Sequence, residues 1–175
     1  MRTGSPMPGE IEHPLTVRPA TADDLAAIND IYNYYVLNNT CTYQTEPELM
    51  AERERWFASH GENHPILVAE ALGNIVGWGS LSPFHRRSAY ARTVEDSVYI
   101  HHEHQRRGIG GAILADLVLR AKQLEHHSVI ALISADQPAS ISLHERFGFT
   151  SVGRLKEAGN KFSRWLDVVY MQRML

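Results

Sequence analysis

The chain has 175 residues, of which 43% are hydrophobic and 21% charged, and its formal net charge is -3. This length suits one domain with a buried core, and the slightly acidic balance argues against a general binder of nucleic acid or of anionic membranes, which would carry a basic excess. The single cysteine, Cys41, excludes an internal disulfide, and no apolar run approaches the roughly 18 residues of a membrane span, so we expect a cytoplasmic protein.

The first half of the chain predicts a tail, two helices and a β-hairpin. Residues 1–14 lack the apolar core of a signal peptide and are expected to form a flexible tail, which leaves one domain over residues 15–175. Pro47 suits the start of the second helix. The predicted elements are a strand over 15–18, helices over 25–37 and 47–59, and hairpin strands over 66–71 and 75–81. Gly77 and Gly79, within the second hairpin strand, indicate a bulge or a close backbone approach.

The second half is organised around a strand, a glycine-containing turn and a long amphipathic helix. The β-branched and aromatic run 94–100 predicts the strand, and apolar residues at helical spacing over 113–124 predict the helix. The nearly continuous apolar run 128–134 is typical of a strand buried on both faces. The remaining predicted elements are a helix over 139–146 and strands over 149–156 and 165–171, joined by a turn at Gly159 and Asn160. This order predicts a mixed α/β fold, with a central mixed sheet flanked by about four helices.

The turn at 105–111, QRRGIGG, has the features of an anion-binding site. Glycines just ahead of a helix leave the first-turn N–H groups unobstructed, and the positive end of the helix dipole points at whatever binds there. Arg106 and Arg107 suit an anion that carries more than one phosphate. The bare glycine motif is equally compatible with a flexible turn, but the preceding strand, the paired arginines and the strong helix favour the anion site. The P-loop motif is absent, and Ile113 stands where a Rossmann fingerprint needs its third glycine.

Several stretches of the sequence resemble a known family. QRRGIG, after the predicted fourth strand, is similar to the Q/R-x-x-G-x-G/A signature of the GNAT acetyltransferase superfamily, and the element order resembles that fold over nearly the whole chain. TVEDSVYI, SISLHERFGF and KFSRWLDVVYMQ resemble the phosphinothricin and methionine sulfone/sulfoximine N-acetyltransferases. The resemblance implies a GNAT-like acyl-CoA N-acyltransferase fold and transfer of acetyl from acetyl-CoA, as co-substrate, to the amine of a small amino-acid-like acceptor. It also implies that the protein is a homodimer and that it contributes to resistance against antibiotics or herbicides that serve as acceptors.

The resemblance further implies which residues hold the donor. Backbone amides of the glycine turn would bind the CoA pyrophosphate, and the strand before it would pair with the pantetheine arm as if that arm were an added strand. The implied donor-binding residues are Val98, Tyr99, Ile100, Arg106, Arg107, Gly108, Ile109, Gly110, Gly111, Gln137 and Ser140. Gln137 stands where the family commonly has asparagine, so its contact with CoA departs from the family pattern.

Acetyl transfer to an amine needs two proton-handling groups. The ammonium must lose a proton before it attacks the thioester, and the departing thiolate leaves more readily when protonated. By the resemblance, Glu95 is the general base, acting directly or through water, and His144 is the acid. A histidine can supply a proton near neutrality. Each residue also has a simpler but less favoured interpretation, which is a surface carboxylate for Glu95 and a hydrogen-bonded packing residue for His144.

An amino-acid acceptor presents a carboxylate, for which arginine is the bidentate partner. The predicted acceptor-side residues are Tyr43, Phe84, Arg92, Thr93, Glu95, Lys161 and Trp165. The last two lie in a segment that resembles the dimer-forming part of the family. Arg86 and Arg87 are as well explained by solvated loop charge as by acceptor binding. The polar loop over 38–43 is expected to form a pocket wall.

Metal binding and cysteine catalysis are set aside. His101, His102 and His104 lack the converging ligands that a zinc site needs, so no metal is expected. Nothing marks a histidine–acid partner for Cys41 as a nucleophile. A peptide or protein N-acetyltransferase and a non-catalytic acyl-CoA-binding module on the same fold remain alternatives. The near-neutral chain and its short arginine-lined loop favour a small anionic acceptor, with no nucleic-acid or membrane partner.

Overall fold

The computed structural model describes residues 15–175, which form one mixed sheet with helices on both faces. Its elements are β1 (Thr16–Pro19), α1 (Leu25–Asn38), α2 (Met50–Ser59), β2 (Ile66–Ala71), β3 (Asn74–Pro83), β4 (Thr93–Ile100), α3 (Ile109–Gln123), β5 (Ser128–Ser134), α4 (Pro138–Arg146), β6 (Thr150–Lys161) and β7 (Arg164–Met174). The mixed α/β fold predicted from the sequence is confirmed. The tail predicted over 1–14 lies outside the described residues. Across 15–175, every helix is too short or too polar to cross a bilayer.

The sheet has the strand order β1-β2-β3-β4-β5-β7-β6. Neighbouring strands are antiparallel except for β4 and β5, which are parallel. Parallel neighbours need a crossover connection, and α3 supplies it between these two strands. The glycine turn at the start of α3 therefore lies at the end of β4, in the middle of the sheet.

Two apolar cores lie on opposite faces of the sheet. One is built around α3, with Ile113, Leu114 and Leu117 fully buried, and the other is built around α1 and Trp78. Side chains alternate between faces along a strand. On β4 the even-numbered residues consequently face α3, and the odd-numbered ones, from Glu95 onward, face α1.

The glycines that flank Trp78 let α3 approach β3 closely. A Cβ atom built on Gly79 would lie 2.6 Å from the Ile113 Cγ2 atom and 2.8 Å from the Ser97 carbonyl oxygen. Both distances are shorter than van der Waals contact, so only a residue without a side chain fits. The close backbone approach predicted from the sequence is confirmed. A bulge is present in the same strand, since Ala69 pairs with Gly77 and Glu70 pairs with Ile75, which leaves Val76 of β3 as the extra residue.

The turn of the last hairpin differs from the prediction. It is formed by Phe162 and Ser163, whose φ angles are 51° and 58°, and the expected turn at Gly159 and Asn160 is wrong. A two-residue hairpin with positive φ at both positions matches the twist of the flanking strands, although neither residue is the usual glycine or asparagine. Gly159 lies within β6, where a side chain would overlap the ring of Tyr43.

Candidate active site

β4 and β5 separate after three residue pairs, the last of which joins Glu95 to Ile130. β4 continues to pair with β3 along its whole length, so beyond Glu95 its other edge has no strand beside it within residues 15–175. The amide of His101 donates to a β3 carbonyl at 2.9 Å. Because backbone groups alternate between the two edges of a strand, those of Val98 and Ile100 face the gap. An extended ligand chain can pair with such an edge.

A cavity of about 850 Å³ opens at this gap. The predicted site residues that line it are Tyr43, Glu95, Val98, Tyr99, Ile100, Arg106, Gly108, Ile109, Gly110, Gly111, Gln137, Ser140 and His144. All of the predicted donor-binding residues except Arg107 thus line one cavity. Both predicted proton-handling residues, Glu95 and His144, line it as well. The loop over 38–43 also forms part of the wall, as expected. Burial there raises the pKa of the Cys41 thiol to about 12, so the thiolate that a nucleophile needs is not formed near neutrality.

The glycine turn presents free backbone donors to the cavity. Gly108, with φ of 79°, precedes α3, and the first amide to close a helical bond is that of Ala112, 3.1 Å from the Gly108 carbonyl. The three preceding amides, at 109–111, face the open N-terminal end of the helix. Arg106 has a positive φ of 61° and also lines the cavity. This arrangement suits a phosphate group.

The start of α4 is braced against the loop that follows α1. The Gln137 side-chain nitrogen donates to the Thr40 hydroxyl oxygen at 3.0 Å, and that hydroxyl donates to the Asp136 carboxylate at 2.9 Å. The side-chain amide nitrogen of Gln137 therefore already donates a hydrogen bond within the protein. Its contact with CoA stays a prediction.

Glu95 lies at the point where the two strands separate, on the face that carries α1. Among residues 15–175 its carboxylate accepts no hydrogen bond, and the hydroxyl side chains of Ser80, Ser82 and Ser97 line the same cavity. Burial, and to a lesser extent the neighbouring charge of Asp96, raises the pKa of Glu95. A carboxylate with a raised pKa is a stronger base than an ordinary one once it is ionised.

His144 is buried on the opposite side of β4, against Asp96. Its Nδ1 atom lies 2.7 Å from the Ser140 carbonyl oxygen, and its Nε2 atom lies 3.0 Å from Asp96 Oδ2. Burial alone would lower the pKa of His144, but the hydrogen bond and charge of Asp96 outweigh it and raise that pKa. Asp96 was not predicted as a site residue. The sequence did offer a signal for Asp96. Side chains alternate between the two faces of β4, so Asp96 shares the buried face of Val94, and a buried carboxylate needs a partner.

A buried arginine in the cavity wall was also missed. The guanidinium of Arg53, on α2, lies 4.7 Å from the ring centroid of Tyr32, 4.6 Å from that of Trp56 and 5.5 Å from that of Trp78, and it pairs with Glu48. Arg53 and Trp56 are three residues apart and so share one helix face, which is the signal that the sequence offered. The result is a rigid aromatic wall on the α1 side of the cavity.

Five predicted acceptor-side residues do not reach this cavity. They are Phe84, Arg92, Thr93, Lys161 and Trp165. The Arg92 guanidinium donates to the Glu125 carbonyl oxygen at 2.8 and 2.6 Å. Arg92 and Thr93 line a second cavity of about 520 Å³, together with Arg86 and Arg87.

The other three lie elsewhere for different reasons. Lys161 is buried at the end of β6, and its Nζ atom donates to the Thr42 carbonyl oxygen at 2.8 Å. Phe84 packs on the ring of Tyr90, 5.9 Å between centroids. Trp165 is 64% exposed.

The predicted histidine cluster lies on the surface beyond β4. Donor atoms of His101, His102 and Glu103 lie within 4.8 Å of one another. The ring of His102 stacks on Tyr34, and His101 caps the short turn that contains Glu103. These contacts agree with a polar junction between the strand and the glycine turn.

The separated strands, the free edge of β4 and the helix N-terminus form one cavity that suits an extended, phosphate-bearing ligand, and Glu95 and His144 line the same cavity. Residues 17–170 match the acetyltransferase (GNAT) domain. The chain belongs to the GNAT acetyltransferase family, and it is an acetyltransferase.

Curated relatives and solved structures agree with this assignment. Phosphinothricin N-acetyltransferase of Streptomyces viridochromogenes is 38% identical over 91% of this chain and 87% of the relative. L-methionine sulfoximine/L-methionine sulfone acetyltransferase of Salmonella typhimurium is 35% identical over 92% of this chain and 95% of the relative. A phosphinothricin acetyltransferase from Sinorhizobium meliloti, solved in complex with acetyl-CoA, superposes with a TM-score of 0.89 at 40% identity and covers 92% of this chain and 88% of that one.

Proposed function

We propose that the protein transfers the acetyl group of acetyl-CoA to the amine of a small amino-acid-like acceptor, of the phosphinothricin or methionine sulfone/sulfoximine type. The observation that carries the proposal is the position of Glu95, half-buried at the point where β4 and β5 separate. There one carboxylate can reach both an acceptor on the α1 side and a donor lying in the gap. The names of the relatives support the choice of acceptor class.

Each part of the donor has a matching part of the cavity. The amides at 109–111 and the Arg106 side chain would hold the pyrophosphate, and the free backbone groups of Val98 would pair with the pantetheine arm. The pairing directs the thioester end of the donor along β4 toward Glu95, because β4 runs from Glu95 to the glycine turn. Acetyl-CoA is thus expected to bind as an extended chain with its phosphates at the N-terminus of α3.

The chemistry uses one side chain on each face of β4. Glu95 takes a proton from the acceptor ammonium, directly or through water, and the amine then attacks the thioester carbon. As the C–S bond breaks, the acceptor nitrogen loses its second proton to solvent. The Nε2–H bond of His144 breaks and an S–H bond forms, so that CoA leaves as the thiol and His144 is left neutral, with its Nδ1–H still on the Ser140 carbonyl oxygen. Holding the amine and the thioester in line supplies much of the remaining acceleration.

The acceptor would be recognised around the aromatic wall and the loop between β3 and β4. Tyr43 borders the cavity, and Arg86, Arg87 and Arg92 place positive charge at the neighbouring second cavity. Phe84 and Thr93 lie on the same loop and strand end. A carboxylate-bearing acceptor is favoured by this charge. In a cytoplasmic enzyme, acetylation of such acceptors would confer resistance on a sensitive host.

The acceptor class is tested by thiol release from acetyl-CoA. We expect turnover with phosphinothricin, methionine sulfone or methionine sulfoximine at a kcat/KM at least tenfold above that for ordinary amino acids and for a peptide with a free N-terminus. Thiol release with the peptide alone would contradict the proposal in favour of a peptide N-acetyltransferase. Binding of acetyl-CoA without thiol release for any amine would leave only a binding module.

We further propose a homodimer that uses β6 and its hairpin turn. The strand is an edge of the sheet and almost all of its residues are exposed. Exposed apolar Val152 and Leu155 lie on it, Phe162 lies in the turn, and Trp165 lies at the start of β7. Exposed apolar residues on an unpaired strand edge are a common basis of self-association. Such an interface would bring Trp165, and the hairpin end that carries Lys161, to the border of a second copy's acceptor pocket.

Light scattering on the eluting protein tests the dimer. We expect twice the chain mass for the wild type and a shift toward the single-chain mass for Leu155→Asp, because a charge would be buried in the interface. Leu119→Asp is the matched control, since Leu119 is 53% exposed and Leu155 is 50% exposed, but Leu119 lies on α3. A wild type of single-chain mass would overturn the proposal.

A further inference from the structure

Both ring nitrogens of His144 face atoms that can only accept a hydrogen bond. The Ser140 carbonyl oxygen, 2.7 Å from Nδ1, has no hydrogen to donate, and neither has an ionised Asp96 carboxylate, 3.0 Å from Nε2. A neutral imidazole carries one N–H and would leave one of these two short contacts without a hydrogen. With Asp96 ionised, both contacts are hydrogen bonds only when His144 is an imidazolium.

The surroundings of His144 leave Asp96 as the group that sets its charge. Asp96 comes from β4, Ser140 offers only its backbone from α4, and the ring of Phe149 packs edge-on with 5.0 Å between centroids. Within residues 15–175 no other ionisable side chain pairs with His144. The side chains of His144 and Asp96 are 5% and 1% exposed, so their mutual attraction is little screened by water.

The second carboxylate oxygen of Asp96 is unused. Oδ1 is buried and has no hydrogen-bond partner in the described part of the chain, although Asp96 lines the large cavity. A buried carboxylate oxygen left without a donor costs free energy, so its retention in the cavity wall calls for a functional reason. Oδ1 is where a water or a ligand N–H would complete the pair from the cavity side.

We propose that Asp96 is the positioning residue of the acetyl-transfer reaction, holding His144 doubly protonated and oriented beside the donor gap. This proposal rests on the proposed function, in which His144 supplies the proton to the departing thiolate. Asp96 acts through His144 and is not itself the acid. The raised pKa of His144 agrees with this role.

The variant Asp96→Asn tests the proposal without changing the shape of the site. An asparagine amide can donate to Nε2 while Nδ1 still donates to Ser140, so His144 becomes neutral but keeps its place. We expect kcat to fall at least tenfold at pH 7.5, the dissociation constant of acetyl-CoA to change less than threefold, and the alkaline decline of kcat to begin at lower pH. Asp116→Asn, which weakens a partly buried pair with Arg120 on α3, is the matched control and should leave all three unchanged. An unchanged kcat and pH profile in Asp96→Asn would overturn the proposal.

A second measurement does not depend on activity. Nitrogen-15 NMR of the wild type at pH 7.5 should show both nitrogens of one histidine protonated, and that signal should be missing in His144→Gln. A neutral single tautomer for His144 would overturn the proposal even if the enzyme is active. Conversely, an imidazolium in a protein that releases no thiol with any amine would contradict the proposed function and leave the Asp96–His144 pair standing.

Discussion

Glu95→Gln is expected to lower kcat by about 10²- to 10⁴-fold, the usual contribution of one general acid or base. The amide fills the same space at the separation of β4 and β5 but cannot take a proton from the acceptor ammonium. In the wild type, kcat should rise with pH as Glu95 ionises, at a pH above the ordinary glutamate range because burial raises its pKa. In the variant this rise should disappear.

The measurement is a pH–rate profile at saturating acetyl-CoA and acceptor. Glu54→Gln, an exposed change on α2, is the matched control and should preserve the profile. Acetyl-CoA affinity should be nearly the same in all three proteins, since the donor contacts lie further along β4. If Glu95→Gln kept the wild-type rate and profile, Glu95 would be a surface carboxylate and another base would be required.

His144→Ala is expected to lower both stability and rate. Removing one partner of a buried ion pair typically costs about 3–5 kcal/mol of unfolding free energy, because the other charge stays buried without compensation. Here Asp96 would be left with neither oxygen bonded to a side chain. The lost acid should reduce kcat by about 10²-fold or more.

The stability loss should depend on pH in a defined direction. Because the folded-state pKa of His144 is raised, the stabilisation from its charge is fully present below the unfolded-state value of about 6.5 and is lost as pH rises through the folded value. The difference in unfolding free energy between wild type and His144→Ala should therefore be largest on the acid side of that window and narrow toward alkaline pH. Denaturant titrations at several pH values measure it.

Replacing both Asp96 and His144 separates the loss of stability from the loss of rate. In Asp96→Leu with His144→Leu no charge is left buried, so most of the lost stability should return, while the rate should not. A double variant as unstable as His144→Ala would show that the loss came from packing and not from the uncompensated carboxylate.

Much of the fold could be predicted because its signals are local. The apolar run 128–134 matches β5 residue for residue, and the β-run 66–71 matches β2, since strand patterns depend only on neighbouring residues. The glycine turn was placed correctly for the same reason. The hairpin turn was not, because Gly159 serves the packing of Tyr43, a residue more than a hundred positions earlier.

The sequence by itself determined the family, the order of the elements and the stretch that meets the donor, since each is written in contiguous residues. Only the tertiary structure decided where β4 and β5 separate, that Asp96 and His144, 48 positions apart, form one buried pair, and that Arg53 lies among three aromatic rings. It also placed Arg92 on the Glu125 carbonyl oxygen and Lys161 on that of Thr42, away from the large cavity. Residues distant in the chain are brought together by packing, and a charged side chain pairs with whichever partner packing leaves within reach.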